Sequence, residues 1–103
     1  MKKIEAIINP VKLDDVKKAL NGMGIHEILT SRINGHGRQK GHKEIYRSAK
    51  YFVYFIPKVR LEVIVNPDLV DLVLDKIRNA ANTGKIGDGK IFVSSVESYQ
   101  SVE

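Results

Sequence analysis

With 103 residues, 43% of them hydrophobic, the chain has material for one buried core, so a single domain spanning 1–103 is expected. Its formal charge of +5 favours anionic partners without choosing among nucleotides, carboxylate metabolites, nucleic acid or an acidic protein surface. The absence of cysteine excludes disulfides and thiolate metal sites and is compatible with a reducing cytoplasm. The longest apolar run, Tyr51 to Ile56, is far too short to cross a bilayer. A secretory leader is not expected either, because Glu5 and Asn9-Pro10 interrupt the apolar stretch it needs.

In chain order, the first element is the β-prone run Ile4-Glu5-Ala6-Ile7-Ile8, stopped by Asn9-Pro10. Helical spacing follows, with Leu13, Val16, Leu20 and Met23 as the apolar stripe. A glycine ends that helix and the chain returns as a strand, Glu27 to Ile33. Then comes a connector, Gly35 to Lys50, rich in Arg38, Lys40, Lys43, Arg47 and Lys50 and poor in apolar residues. It buries too little to order itself, so it is read as a linker or as a loop that orders on binding. The uncharged run Tyr51 to Ile56 is placed at the return into the third strand, where packing relieves its aggregation hazard.

The second half echoes the first. Leu61-Glu62-Val63-Ile64-Val65-Asn66-Pro67 repeats the opening run, and Leu69, Val70, Val73, Leu74 and Ile77 supply a second helical stripe. After a turn the last strand is Ile91 to Val96. Two βαβ halves in tandem imply an α+β, ferredoxin-like sandwich: a four-stranded antiparallel sheet, both helices on one face, and the long loop between strands 2 and 3.

Strand parity carries this further. If Ile4, Ala6, Ile8, Leu61, Val63 and Val65 face the helices, then Glu5, Ile7, Glu62 and Ile64 lie on the open face, with Phe92 beside them. A face mixing isoleucine, phenylalanine and mid-strand glutamates suits another subunit if the carboxylates find cations. Self-association is expected, with Lys90 as the partner of Glu62; the bland reading is an ordinary half-solvated face.

The stretch Thr83-Gly84-Lys85-Ile86-Gly87-Asp88-Gly89-Lys90 combines three glycines, which let backbone N–H groups approach an anion, with two lysines. It departs from the Walker pattern, which ends in Gly-Lys-Ser/Thr and opens a helix, whereas a strand follows here. A phosphate cradle and a plain turn, with Gly84 ending the helix and Asp88-Gly89 entering the strand, both fit. His26, His36 and His42 match no zinc spacing. No nucleophile, base and orienting acid form a set, so no enzymatic activity is expected. An RNA-binding module lacks the aromatic pair that stacks bases, and a small phosphate-ester or acyl-phosphate hydrolase leaves the connector unexplained.

Gly37-Arg38-Gln39-Lys40-Gly41-His42, Glu44, Tyr46-Arg47, Tyr51, Pro57-Lys58-Val59 and Thr83 through Val93 agree in order and spacing with one family. The opening Met1 to Asp15 agrees as well. The chain resembles the PII nitrogen-regulatory signal transduction proteins over nearly its whole length, fading after about Val96.

The resemblance implies a cytoplasmic homotrimeric regulator of nitrogen metabolism, with no nucleic acid partner. It implies ATP or ADP in clefts between subunits and 2-oxoglutarate beside a magnesium ion held by ATP. It also implies a flexible T-loop, about 37–54, that controls an ammonium transporter or a nitrogen-assimilation enzyme; the membrane is met only through a transporter partner. By position, Gly87, Gly89, Lys90 and Arg38 meet nucleotide phosphates, while Ile7, Gly37 and Ile64 line the adenosine pocket. Gln39 supplies a magnesium ligand, and Lys58 pairs with a 2-oxoglutarate carboxylate alongside the backbone of Gln39, Lys40 and Gly41. Glu62 exchanges partners near Lys90, and Tyr51 stands where some members are nucleotidylated. On this reading Lys58→Ala abolishes keto-acid sensing and spares ADP binding.

The departures concentrate at the C-terminus, where the family carries two arginines that clamp phosphates and this chain has Ser101 and Glu103. Charge-assisted contacts contribute about 1.5 to 3 kcal/mol each, so weakened nucleotide affinity is expected. The tail from Ser98 also stops before the family's usual end. Tyr54 stands where an acidic residue is common, Lys50 where glutamate is, and Val11 and His36 where phenylalanine is; these bear on the loop's conformation and partner.

Overall fold

Alternation of apolar and polar side chains sets the first strand, β1 (Lys2–Ile8), in which Ile4, Ala6 and Ile8 are buried. The chain was analysed as a computed structural model that describes residues 1–33 and 57–102. Pro10 has no N–H to continue a ladder. Asn9 closes the strand: its Oδ1 accepts from the Val11 N–H at 3.1 Å, and a single 3-10 turn, Pro10–Lys12, leads into α1 (Leu13–Gly22). Asp14 and Asp15 lie in the first turn of α1, where the helix dipole favours negative charge. Beyond its end Gly24 takes φ 85°, and the Ile25 N–H donates to Leu20 O at 3.0 Å, returning the chain toward β2 (Leu29–Ile33).

The second half repeats this path. β3 (Lys58–Val65) gives way at Asn66 to the 3-10 turn Pro67–Leu69, then to α2 (Val70–Ala81) and β4 (Gly89–Ser95). The two Asn-Pro turns share a backbone bond of 2.9 Å, Lys12 N–H to Asn9 O and Leu69 N–H to Asn66 O. Only Asn9 adds a side-chain cap.

The strands order as β2-β3-β1-β4, each antiparallel to its neighbours, which is the ferredoxin-like arrangement. Val16 and Leu20 of α1 and Val73 and Ile77 of α2 are fully buried against Ile4, Ala6, Leu61 and Val63. Burying each large aliphatic side chain contributes about 1.5 to 3 kcal/mol, so this one layer fixes both strand register and helix placement. The expected parity holds, and so does the four-stranded architecture.

Several boundaries differ from the sequence expectation, among them the end of β4, at Ser95 rather than Val96. β2 begins at Leu29 rather than Glu27, because the turn after α1 uses the residues up to Ile28. β4 begins at Gly89 rather than Ile91, because Gly89 and Lys90 still pair with Ile8 and Ile7. α2 ends at Ala81: Asn82 leaves the helix with ψ 129°, its N–H donating to Arg78 O at 3.0 Å, so Gly84 belongs to the following turn and not to the helix end. The loop about 37–54, the run Tyr51 to Ile56, and the site residues Gly37, Arg38, Gln39, Lys40, Gly41 and Tyr51 lie outside the described residues, as does Glu103.

Candidate ligand site at the glycine turn

Between α2 and β4 the backbone must reverse within seven residues, and one carboxylate organises it. Asp88 Oδ2 accepts from the Thr83 N–H at 2.7 Å and from the Lys85 N–H at 3.4 Å, while Asp88 Oδ1 takes the Thr83 hydroxyl. Asn82 Oδ1 holds the Gly84 N–H at 2.7 Å. The Thr83 hydroxyl, then the Thr83 amide, lowers the Asp88 pKa below its ordinary 3.8; slight desolvation opposes this, and the Lys85 and Gly84 amides add to the lowering. At neutral pH the turn is therefore closed around an ionised carboxylate that, among the described residues, accepts only from its own loop.

Two glycines are required by the geometry. Gly87 sits at φ 92°, which side-chain-bearing residues rarely adopt. At Gly89, φ 152°, a Cβ would stand 2.1 Å from Ile7 O, so β4 can lie against β1 here only without a side chain. Ile7 itself faces the open side, half-buried in a cross-strand row with Arg60 and Lys90. Lys58, the first residue of β3, reaches past the end of β1 and donates from Nζ to Gly87 O at 2.7 Å. Thus Ile7, Lys58, Gly87, Gly89 and Lys90 gather at one end of the sheet.

Ile64 does not join them. It faces Lys3 on β1, whereas Gly89 faces Ile8. Five residues of strand separate the two levels, about 17 Å, and β3 and β4 lie on opposite sides of β1. Ile64 and Glu62 instead line a groove of about 790 Å³ with Leu29, Ile25 and Tyr99, within the size range of small-molecule sites. The cleft behind the glycine turn, lined by Ile77, Ala81 and Asp88, is about 90 Å³ and too small for such a guest.

On the open face Glu62 stands directly opposite Glu5, a repulsive pairing for two carboxylates. Arg60 relieves Glu5: its Nε lies 2.9 Å from Glu5 Oε2, an ion pair in contact but without the alignment of a hydrogen bond. Among the described residues Glu62 has no ion-pair partner within the chain, and β1 stands between it and Lys90. Leu29, Ile64 and Phe92 on this face are substantially exposed, Leu29 by 64% and Phe92 by 50%, as an unpartnered sheet would leave them.

Three contributors escaped the sequence reading. Asp88 was read only as a turn residue, yet its distance of five from Thr83 is what closes the loop. Arg60 carried a usable signal, since parity places it on the face of Glu62 and Glu5. Tyr99 carried none, because its approach to Ile64 depends on the path of the tail after β4. Among the described residues no group of three His, Cys, Asp or Glu could hold a metal ion, and no helix is long and apolar enough to cross a membrane.

Against known proteins, the family model described as nitrogen regulatory protein P-II matches residues 1–103. The nitrogen regulatory protein P-II of Bradyrhizobium diazoefficiens is 58% identical over 97 residues, covering 94% of this chain and 87% of that protein. That of Azospirillum brasilense is 57% identical with the same coverage. Among solved structures, the Arabidopsis thaliana PII bound to citrate aligns with a TM-score of 0.73 and 36% identity, covering 92% of this chain and 76% of the other. The glycine turn, the repeated βαβ halves and these matches together place the chain in the nitrogen regulatory protein P-II family.

Proposed function

We propose that the protein is a homotrimeric sensor that binds ATP or ADP in clefts between subunits, with 2-oxoglutarate and magnesium as the second input. Its output is control of an ammonium transporter or a nitrogen-assimilation enzyme through loop 37–54, in the cytoplasm, with Tyr51 as a candidate modification site. The observation that carries the reading is the cluster of Gly87, Gly89, Lys90 and Lys58 at one end of the sheet, with a preorganised backbone turn and two ammonium groups. Such a turn suits phosphate, since backbone amides and countercharge act together. As a regulator it has ligands rather than a reaction to perform.

Two observations favour clefts between subunits. Ile64, the proposed adenosine contact, lies too far from Gly89 for one nucleotide to touch both within one chain. Glu62 lacks a cation in its own chain among the described residues, so Lys90 of a neighbouring copy is its proposed partner. On this reading Ile64 of one copy, with Glu62 beside it, and Ile7 and Gly37 of the next line the adenosine pocket, while Gly87, Gly89, Lys90 and Arg38 meet the phosphates.

Magnesium fits as an ion held largely by ligand oxygens. Asp88, the carboxylate nearest the turn, is taken up by Thr83 and Lys85; the family resemblance implies the Gln39 amide oxygen as the protein donor, a sparse set that magnesium accepts when phosphate provides the rest. Gln39 would hold the ion, which would supply positive charge against phosphate and carboxylate oxygens. The Lys58 ammonium would supply the dicarboxylate's countercharge, and the backbone of Gln39, Lys40 and Gly41 would orient it. The citrate on the Arabidopsis relative supports a carboxylate-binding capacity in the family. Exposed Ser101, where the family has a clamping arginine, favours a weak-affinity form of the same sensor.

Calorimetry tests the reading. With saturating ATP and magnesium, 2-oxoglutarate should bind at least about tenfold more tightly than without them, a coupling of about 1.4 kcal/mol. Equal binding in both conditions would refute it.

A further inference from the structure

We infer that Lys58 is a positioning residue for the nucleotide, in addition to any contact it makes with a dicarboxylate; the inference rests on the nucleotide reading above. Lys58 and Gly87 belong to different halves of the repeat and are 29 residues apart, yet Lys58 Nζ donates to Gly87 O at 2.7 Å. The bond spans the end of β1: Val59 and Gly89 both face Ile8, from opposite sides. No other side chain among the described residues ties the glycine turn to β3.

The consequence follows from peptide geometry. The Gly87–Asp88 peptide is planar and trans, so its C=O and N–H point in opposite directions. Anchoring the Gly87 carbonyl on Lys58 therefore fixes where the Asp88 N–H points. Gly87, at φ 92°, has no side chain to restrict this peptide, so without the lysine no side chain among the described residues holds its carbonyl. Asp88 secures the near side of the turn through Thr83 and Lys85, and Lys58 secures the far side. An amide already oriented loses less entropy when it meets a phosphate.

An ammonium has three donors. One held by Gly87 O leaves two for a carboxylate, so a dicarboxylate at Lys58 acts on the nucleotide turn without touching the nucleotide. This departs from the sequence expectation that removing Lys58 spares ADP binding.

The test uses the full-length chain and ADP, with no keto acid and no divalent ion. Lys58→Met keeps the aliphatic stem and removes the donor; it should weaken ADP about three- to tenfold. Lys58→Arg keeps a donor of similar reach and should stay within about twofold of wild type. The unliganded thermal midpoint should be the same in all three. In 15N NMR of the ligand-free protein, the Asp88 amide should shift in Lys58→Met and return toward the wild-type position in Lys58→Arg, because that amide shares its peptide with the Gly87 carbonyl. Wild-type ADP affinity in Lys58→Met, an unmoved Asp88 resonance, or a midpoint that falls in both variants would overturn the inference. Failure of the wild type to bind ADP would instead sink the nucleotide reading, and the ligand-free Asp88 comparison would still decide whether Lys58 orients the turn.

Discussion

The two helix-to-strand connections occupy equivalent places in the repeat and are built differently. After α1, residues 23–28 return the chain through Gly24 and three backbone bonds, with one exposed side-chain contact, His26 Nδ1 to Asn21 Oδ1 at 3.2 Å. After α2, residues 82–88 are tied by Asp88, Asn82 and Thr83 from within and by Lys58 from across the sheet. The first connection reverses direction with glycine and the backbone, and its residues line one wall of the groove beside Ile64. The second holds a specific backbone shape at the sheet end where Ile7, Lys58 and Lys90 converge. Polar side chains concentrate where a shape must be kept, and this asymmetry singles out one copy of the repeat as the one with a preorganised backbone turn.

The contrast breaks most visibly at glycine. Gly89→Ala forces a Cβ to 2.1 Å from Ile7 O, so β4 must move away from β1. Gly24→Ala meets nothing within 4 Å and suffers only from φ 85°. Urea unfolding should show Gly89→Ala less stable by about 2 to 4 kcal/mol and Gly24→Ala by about 1 to 2 kcal/mol. Equal losses would mean that the second connection is no more constrained than the first.

A pH titration sharpens the contrast next. Because the folded-state pKa of Asp88 is lowered, the carboxylate's contribution is complete above the ordinary value of 3.8 and is lost as pH falls through the lower folded value. Carboxyl-detected NMR should place the Asp88 midpoint below 3.8, and Thr83→Val, which removes the largest cause, should raise it. Correspondingly, the difference in acid stability between wild type and Asp88→Asn should be constant at neutral pH and should shrink only in strong acid. A midpoint at the ordinary value in the wild type would leave the turn without its internal tie.

Sequence reading served the covered face of the sheet better than the turn. Alternation in Ile4-Ala6-Ile8 and Leu61-Val63-Val65, with helical spacing in Val16-Leu20 and Val73-Ile77, is a local consequence of which side chains avoid water, so the architecture could be read from one chain. The open face was legible to the same depth, since parity alone placed Glu5, Ile7, Glu62 and Ile64. What could not be read were side-chain bonds between distant positions: Arg60 with Glu5, and Lys58 with Gly87. Periodicity puts Arg60 on the face of Glu5 but does not pair them, and it is silent on Lys58 and Gly87, because pairing depends on strand order and on how far a lysine reaches past a strand end. The glycine pattern marked the turn, but Asp88 closing on Thr83 is a property of the loop's three-dimensional path.

The smallest expected effect is on the plain connection. Asn21→Ala removes the acceptor for His26, an exposed contact on α1 whose loss water readily offsets, and the Gly24 and Ile25 backbone bonds remain. Unfolding free energy should change by no more than about 0.5 kcal/mol, and ADP affinity should change less than on loosening the glycine turn, because the backbone bonds that shape residues 24–28 along the groove of Ile64 remain. Asn82→Ala is the matched substitution in the second copy: it strips the acceptor from the Gly84 N–H at 2.7 Å and should lower ADP affinity as the turn loosens. If the two alanines behave alike in both assays, the polar ties after α2 are ordinary surface contacts, and the asymmetry between the repeats has no bearing on binding.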